Sequence, residues 1–504
     1  MQIKIDRESQ TPVYIQIRNQ LRTMIFNGSL APGSLLPPER KLADSLGLNR
    51  STVLAAYREL KADGLVDSHV GRGTVVLSVM SQVSEAHNDF EAPLYRQHFS
   101  QISERANDPF LRDLLELANR KDVISFSAGI SATEIDPVGA LSGIEEELIH
   151  QPEHSALKHT PTEGFWSLRE EIAALMERRG VSCTPEEIMV LSGSQQGIDL
   201  ASRVFIDPGD VVIVEEPSFF SALQIFSAAG ARIIGVPVDE QGMRVDILDQ
   251  LLTRHKPKLV YTMPTYQNPS GLSMSLERRK KLLELAISRK FLILEDDPYG
   301  EIIYEGVKKP SLKEMDTNGY VIYLSTFSKI LFPGIRIGFM AAPKPIIYQF
   351  ALLKQLQDLH ANSISQWIVE RFLKKGCYAG HVQALCTQYR DKRDVMHEAL
   401  LKDPVEGLEW VRPSGGFYLW CRLPEGVPNM MLLSNAAANG VSYVPGTAFY
   451  LGGRGGQYMR LNFTYPSKEQ IVVGVERLKA AIRATQRLAS GTRKEALANI
   501  SPIV

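Results

Sequence analysis

Five short runs of β-branched and aromatic residues do most to restrict the fold: IMVLSG (188–193), VVIVEEP (211–217), KLVYTMP (258–264), FLILEDD (291–297) and YVIYLSTFSK (320–329). Each is apolar along its length and closes on small or polar residues, and amphipathic stretches lie between them. Runs without alternation belong to strands buried on both faces, and the helices between supply the crossovers. The pattern predicts an α/β fold on a parallel, helix-covered sheet. Ligand sites in such sheets lie beyond the carboxyl ends of the strands, so the residues that close each run are the first candidates for chemistry.

At 504 residues the chain is too long for a single domain. The punctuation divides it into a compact head at 1–78, a polar, weakly periodic linker at 79–115 with one short helix, a large domain at 116–488 and a loose tail at 489–504. In the head, PVYIQIRNQLRTMIFN (12–27) sets Tyr14, Ile17, Leu21, Met24 and Ile25 on one helical face. A second helix runs from Pro38 to Leu46 and stops at Gly47; Asn49 caps a third, RSTVLAAYRELKADG. Two helices joined by a short glycine-containing turn form the helix-turn-helix pattern. LVDSHVGRGTVVL then reads as two strands around a glycine-rich turn, a wing. The head carries ten Lys and Arg against seven Asp and Glu, on a chain whose formal charge is −1. A mildly basic module on a mildly acidic body suits nucleic-acid contact. The third helix opens with Arg50, Ser51 and Thr52, where a recognition helix meets base edges and phosphates, and Arg72 sits at the wing tip. The same residues would also serve as the surface of an ordinary three-helix unit.

Cys183, Cys377, Cys386 and Cys421 form no C-x-x-C pair and stand near no histidine cluster. They read as reduced cysteines of a cytoplasmic protein without a metal centre. The first ten residues lack the apolar segment of a signal peptide, and no run reaches the ~20 residues of a membrane span.

Four patterns follow strand-like runs in the large domain. Ser192-Gly193-Ser194-Gln195-Gln196-Gly197 is a strand-to-helix turn whose free N–H groups suit an anion. Thr326-Phe327-Ser328-Lys329, with Arg336 after it, brings two hydroxyls, an amine and a guanidinium together. The amine suits a Schiff base with an aldehyde, and the other groups suit a phosphate beside it. Glu295-Asp296-Asp297-Pro298-Tyr299 offers a carboxylate for a pyridinium nitrogen, a metal or a helix end. Asn268-Pro269-Ser270-Gly271 is a turn with a side-chain amide. Taken singly, each is also what an ordinary turn or surface lysine gives. Together they supply a separate partner for a phosphate, an aldehyde, a ring nitrogen and a phenolic oxygen.

Over residues 12–76 the head resembles the GntR winged-helix family, in which the positions of Arg40, Arg50, Ser51, Thr52 and Gly71 approach DNA. Residues 120–485 resemble the pyridoxal 5′-phosphate enzymes of the aspartate aminotransferase fold, with large and small subdomains, and most of all the aminoadipate and kynurenine aminotransferases. That resemblance implies an internal aldimine on Lys329, a pyridine-nitrogen partner in Asp296, and hydrogen bonds from Asn268 and Tyr299 to the phenolic oxygen. It implies ring stacking by Phe219, a phosphate site of Ser194, Gln195, Thr326, Ser328 and Arg336, and a carboxylate clamp in Arg460. A GntR head on this body is similar to the MocR subfamily of transcription regulators. That likeness implies a homodimer, a double-stranded DNA operator and an amino compound or B6 vitamer sensed through an external aldimine at Lys329.

Two departures stand out. His159 occupies the position of a tyrosine that in the family reaches the partner's phosphate. Ser131 and Asp136 replace the usual Pro and Phe near the substrate. Three readings stay open on the sequence: a ligand-responsive regulator, a working aminotransferase with an accessory head, and a regulator that keeps the body only to dimerise.

Overall fold

A computed structural model describes residues 3, 5–6, 11–26, 30, 34–62, 65–69, 73–76, 98–106, 120, 122–129 and 159–498. The head contains helices α1 (Val13–Phe26), α2 (Glu39–Leu46) and α3 (Arg50–Ala62), followed by strands β1 (Val66–His69) and β2 (Gly73–Val76). Ile17, Leu21 and Ile25 of α1 pack on Leu42 of α2 and on Val53, Ala56 and Leu60 of α3, all buried. Gly47 ends α2 in the left-handed region at φ 62°, which turns the chain into α3 within a few residues. β1 and β2 pair antiparallel, Val66 opposite Val76 and His69 opposite Gly73, and form the expected wing. Gly71 and Arg72 at its tip lie outside the described residues.

Among the described residues, the body is built on an eight-stranded sheet in the order β4-β11-β10-β9-β8-β5-β6-β7. The strands are β4 (Ile188–Leu191), β5 (Val211–Glu216), β6 (Arg232–Asp239), β7 (Gly242–Met243), β8 (Leu259–Thr262), β9 (Leu292–Asp296), β10 (Val321–Thr326) and β11 (Gly338–Ala341). All five predicted runs became strands, and their central residues are buried. The sequence predicts a parallel sheet, and this one is mixed: β11 runs antiparallel to β10 and β4, and β7 antiparallel to β6. The β10–β11 connection holds only a short 3-10 turn at Pro333–Ile335. A parallel return needs a longer crossover, so the strand comes back antiparallel.

The smaller subdomain is an antiparallel sheet in the order β12-β13-β16-β15, with β12 (Glu409–Trp410), β13 (Tyr418–Arg422), β15 (Val444–Pro445) and β16 (Tyr458–Asn462). The helices Cys377–Leu401, Asn429–Ala438 and Lys468–Ala498 pack with it. β14 (Val441–Ser442) pairs with β3 (Ile124–Ser125), which brings the residues after β3 to the small subdomain. The last helix continues through Ala489 to Ala498, where a loose tail from 489 is expected. Its apolar residues Ile471, Val475, Leu478 and Ile482 recur at helical spacing in the core, and the helix propagates beyond the packed turns.

Within 79–115 the described helix is Gln101–Ala106, which lies against the helix Phe220–Ala228. A second link joins head and body: the buried Arg18 of α1 donates to the carbonyl of Gly452 and pairs with Glu59 of α3 at 3.5 Å. Among the described residues no helix is long and apolar enough to cross a membrane.

Candidate cofactor and ligand site

The carboxyl ends of β8, β9 and β10 converge on one buried cluster. Asp296 closes β9 at 2% exposure. Its Oδ2 accepts from the Tyr261 hydroxyl of β8 at 2.8 Å, while its Oδ1 is buried with no hydrogen-bond partner. Burial pushes its carboxyl up to about 7, against the pull of the Tyr261 hydrogen bond. An acceptor buried and left open costs on the order of 1–3 kcal/mol or more, so this oxygen is a position where a donor belongs. Lys329, three residues past β10, is half-buried, and its Nζ donates to the Gly129 carbonyl. Burial, with Arg460 and Arg336 nearby, lowers its amine to about 8.

Arg460 of β16 enters from the small subdomain. Its Nη1 donates to Asn268 Oδ1 at 2.8 Å and its Nη2 to the Ser127 carbonyl at 2.9 Å, while Nε has no partner. Its guanidinium lies 4.1 Å from the Tyr418 ring and 5.1 Å from that of Phe449. Asn268 accepts through its oxygen, which leaves its amide N–H groups for another acceptor. The turn that carries it is held by Gln267, which donates to the Pro217 carbonyl and to Glu215 and accepts from Ser270. Tyr299 is buried, with its hydroxyl 3.1 Å from that of Tyr418.

An anion cradle adjoins this cluster. Gly193, at φ 89°, turns β4 into the helix Ser194–Phe205, whose first N–H groups point outward. A Cβ on Gly193 would lie 2.5 Å from Arg336 Nη2, so glycine is what lets the guanidinium close on this turn. Arg336 also donates to the Ser192 carbonyl at 3.1 Å and to Ser328 Oγ at 3.4 Å. Thr326 is tied to the Ile337 carbonyl and to the Ser328 N–H.

Lys329, Asp296, Asn268, Tyr299 and Arg460 thus form one connected cluster, and Ser194, Thr326, Ser328 and Arg336 form the cradle beside it. The Gln195 side chain is exposed at the start of its helix, and Phe219 is half-buried with its ring against Phe220. His159 is exposed, and its Nδ1 faces His360 Nε2 at 3.2 Å. Ser131 and Asp136 lie outside the described residues. In the head, Arg40, Arg50 and Ser51 are exposed and Thr52 is half-buried; Arg50 pairs with Glu39 at 3.1 Å.

Sequence reasoning missed Tyr261, Tyr418, Phe449 and Ser127, and also Phe417, whose ring lies 5.9 Å from the Lys329 amine. Tyr261 could have been found as a phenol inside a β-run, since a buried phenol needs a partner. Tyr418 and Phe449 carry no local signal, because their contacts cross between strands distant in sequence.

The family model described as aminotransferase class I and II matches residues 121–478, and that described as bacterial regulatory proteins, gntR family, matches residues 13–76. The aromatic-amino-acid aminotransferase 1 of Thermococcus litoralis is 41% identical over 78% of this chain and 96% of its own. The uncharacterized HTH-type transcriptional regulator YisV of Bacillus subtilis is 30% identical over 96% of this chain and 98% of its own. Among solved structures, the α-aminoadipate aminotransferase LysN of Thermus thermophilus, complexed with N-(5′-phosphopyridoxyl)-L-leucine, is 32% identical with a TM-score of 0.73. That likeness covers 78% of this chain and 99% of LysN.

Proposed function

The chain belongs to the class I and II aminotransferase family and, with a gntR-family head before that body, to its MocR-type regulators; from that premise we propose that it is a transcription regulator that senses an amino compound or B6 vitamer at Lys329. The cofactor of the family is pyridoxal 5′-phosphate. The site fits it: the open Oδ1 of Asp296 asks for the donor that a protonated ring nitrogen supplies, and the cradle at Gly193 and Arg336 asks for a phosphate. Asp296, Asn268, Tyr299 and Phe219 would hold the ring, and Ser194, Gln195, Thr326, Ser328 and Arg336 the phosphate. When bound, the cofactor supplies an aldehyde that amines condense with and a ring that takes up electrons.

The rest follows from this chain's own side chains. Lys329, with its amine lowered to about 8, gives up a proton near neutral pH and can return it to a neighbouring atom. Arg460, fixed by Asn268 and Ser127, binds a ligand carboxylate with its remaining N–H groups. A ligand amine that takes the place of the Lys329 amine leaves that lysine free to move. The occupied and empty states then favour different settings of the heads, because a ligand shifts a balance only through differential affinity. A physical link for this runs from Arg460 to Phe449, along the loop 450–454 to Gly452, and through Arg18 to Glu59 on α3. That loop is fastened to β5 by Arg454, which donates to Glu216 at 2.7 and 2.8 Å.

Two copies would present two heads to an operator with paired half-sites in the cytoplasm. An exposed apolar stripe supports the dimer: Tyr348, Leu352 and Leu356 on the helix Lys344–Asp358, with Leu359 beyond it, are 62%, 43%, 84% and 54% exposed. We divide the chain into head (1–78), linker (79–115) and body (116–488), extending the body to Ala498.

The observation that carries the reading is an open, buried acceptor on Asp296 in the same cluster as the half-buried Lys329, in a chain with a gntR-family head. The test is a spectral titration of purified protein with amino acids, amines and B6 vitamers, with operator binding followed in parallel. A visible cofactor band that Lys329→Ala abolishes, together with an operator affinity that changes with an amino ligand, is the expected result. A wild-type protein without the band would falsify the reading. Arg460→Ala is expected to weaken the response to carboxylate-bearing ligands at least tenfold and to spare that to simple amines. The assembled Lys329, Asp296 and Arg460 also favour a second reading, a working aminotransferase; rapid steady-state turnover with a defined amino acid and 2-oxo acid would select it.

A further inference from the structure

Tyr418 touches three parts of the site at once. Its hydroxyl is 3.1 Å from that of Tyr299, its ring lies 4.1 Å from the Arg460 guanidinium, and a Cβ on Gly129 would come within 3.3 Å of its hydroxyl. Gly129 is the residue whose carbonyl accepts from Lys329. The side chain is 2% exposed, on the first residue of β13, opposite Asn462 of β16.

Its backbone is equally fixed. The Gly416 N–H donates to the Ile302 carbonyl at 2.9 Å, Tyr304 donates to the Gly416 carbonyl at 2.5 Å, and Gly415 bridges to Ile303. Gly271, in the turn that carries Asn268, has room only for hydrogen, because a Cβ there would lie 2.9 Å from the Tyr418 carbonyl. The small subdomain therefore presents this phenol to the large one in a set position.

A phenol has one proton. If Tyr299 spends it on the cofactor's phenolic oxygen, the bond between the two hydroxyls must be donated by Tyr418. A hydroxyl that accepts one hydrogen bond is a stronger donor in the next. We propose that Tyr418 is a positioning residue with two separable tasks: its hydroxyl aims and strengthens the Tyr299 donor, and its ring face holds Arg460 for a ligand carboxylate. The proposal rests on the reading of Tyr299 and Arg460 given above.

The two tasks answer to different substitutions. Tyr418→Phe keeps the ring and removes the hydroxyl; Tyr418→Leu removes both. Donation from Tyr299 favours negative charge on the phenolic oxygen, so the bound chromophore loses its proton at lower pH. In Tyr418→Phe the pH midpoint of the visible absorbance change is expected to rise by about half to one unit, with L-phenylalanine affinity within about twofold of wild type. In Tyr418→Leu the affinity for L-phenylalanine is expected to fall about tenfold or more, with that for 2-phenylethylamine, which has no carboxylate, little changed.

An unmoved midpoint in Tyr418→Phe overturns the first task. Equal weakening of both ligands in Tyr418→Leu overturns the second. Failure of Tyr418→Phe to take up cofactor also overturns the proposal, because the hydroxyl would then be holding the pocket together. These comparisons use a wild type that shows the visible band; its absence there is a failure of the function, not of Tyr418.

Discussion

The amine of Lys329 is held at about 8 chiefly because charge is costly where it sits, and Arg460 and Arg336 add to the cost. An unfolded lysine keeps its proton to about 10.4. Between these values the unfolded chain binds more protons than the folded one, so the stability of cofactor-free protein rises with pH across that window. Lys329→Met is expected to flatten the rise in denaturant midpoints between about pH 8 and 10. The same shift sets the rate of cofactor uptake, which is expected to climb through pH 8 in stopped-flow absorbance; a climb centred near 10 would contradict the burial argument. Lys329, Asp296 and Asn268 were legible because each stands at or just past the end of a strand or in a turn, where function-bearing residues collect in this kind of sheet. Tyr418 was not, because what makes it matter is a partner more than a hundred residues away.

At the scale of elements, the turn at Gly193 joins β4 to the helix Ser194–Phe205 and leaves no room for a side chain beside Arg336. Gly193→Ala pays twice, in strain at φ 89° and in displacement of the guanidinium. The expected outcome is cofactor release at least tenfold faster, measured by dialysis against a phosphate competitor, with far-ultraviolet circular dichroism unchanged. Five strands of the large sheet, β4, β5, β8, β9 and β10, were legible from their β-branched runs, and so were the three head helices with their Gly47 stop. The antiparallel return of β11 was not: GFMA reads like any other buried strand, and direction is decided by the length of the preceding connection rather than by the strand's own residues. The last helix was cut short for a similar reason, since residues 489–498 have no apolar stripe of their own and are carried by the packed turns before them.

The whole molecule joins two units with different chemistry, and substitutions in one should leave the other intact. Arg50→Ala is expected to weaken operator binding about tenfold or more in a titration at fixed salt, with the cofactor band unchanged. Loss of both would contradict the separation. Leu356→Asp, in the most exposed part of the apolar stripe, is expected to shift the protein toward monomer in sedimentation velocity and to weaken operator binding with it. Neither the stripe nor the meeting of head and body was legible in the sequence, because both depend on how finished elements are set against each other.

The hydrogen bond from Arg18 to Gly452 spans 434 positions of the chain. A tether and a transmission are therefore different parts of this protein. The backbone joins head and body through the linker, whereas Arg18 and Gly452 join them through space. A change of shape at Gly452 would meet Arg18 first and, through the ion pair of Arg18 with Glu59, helix α3.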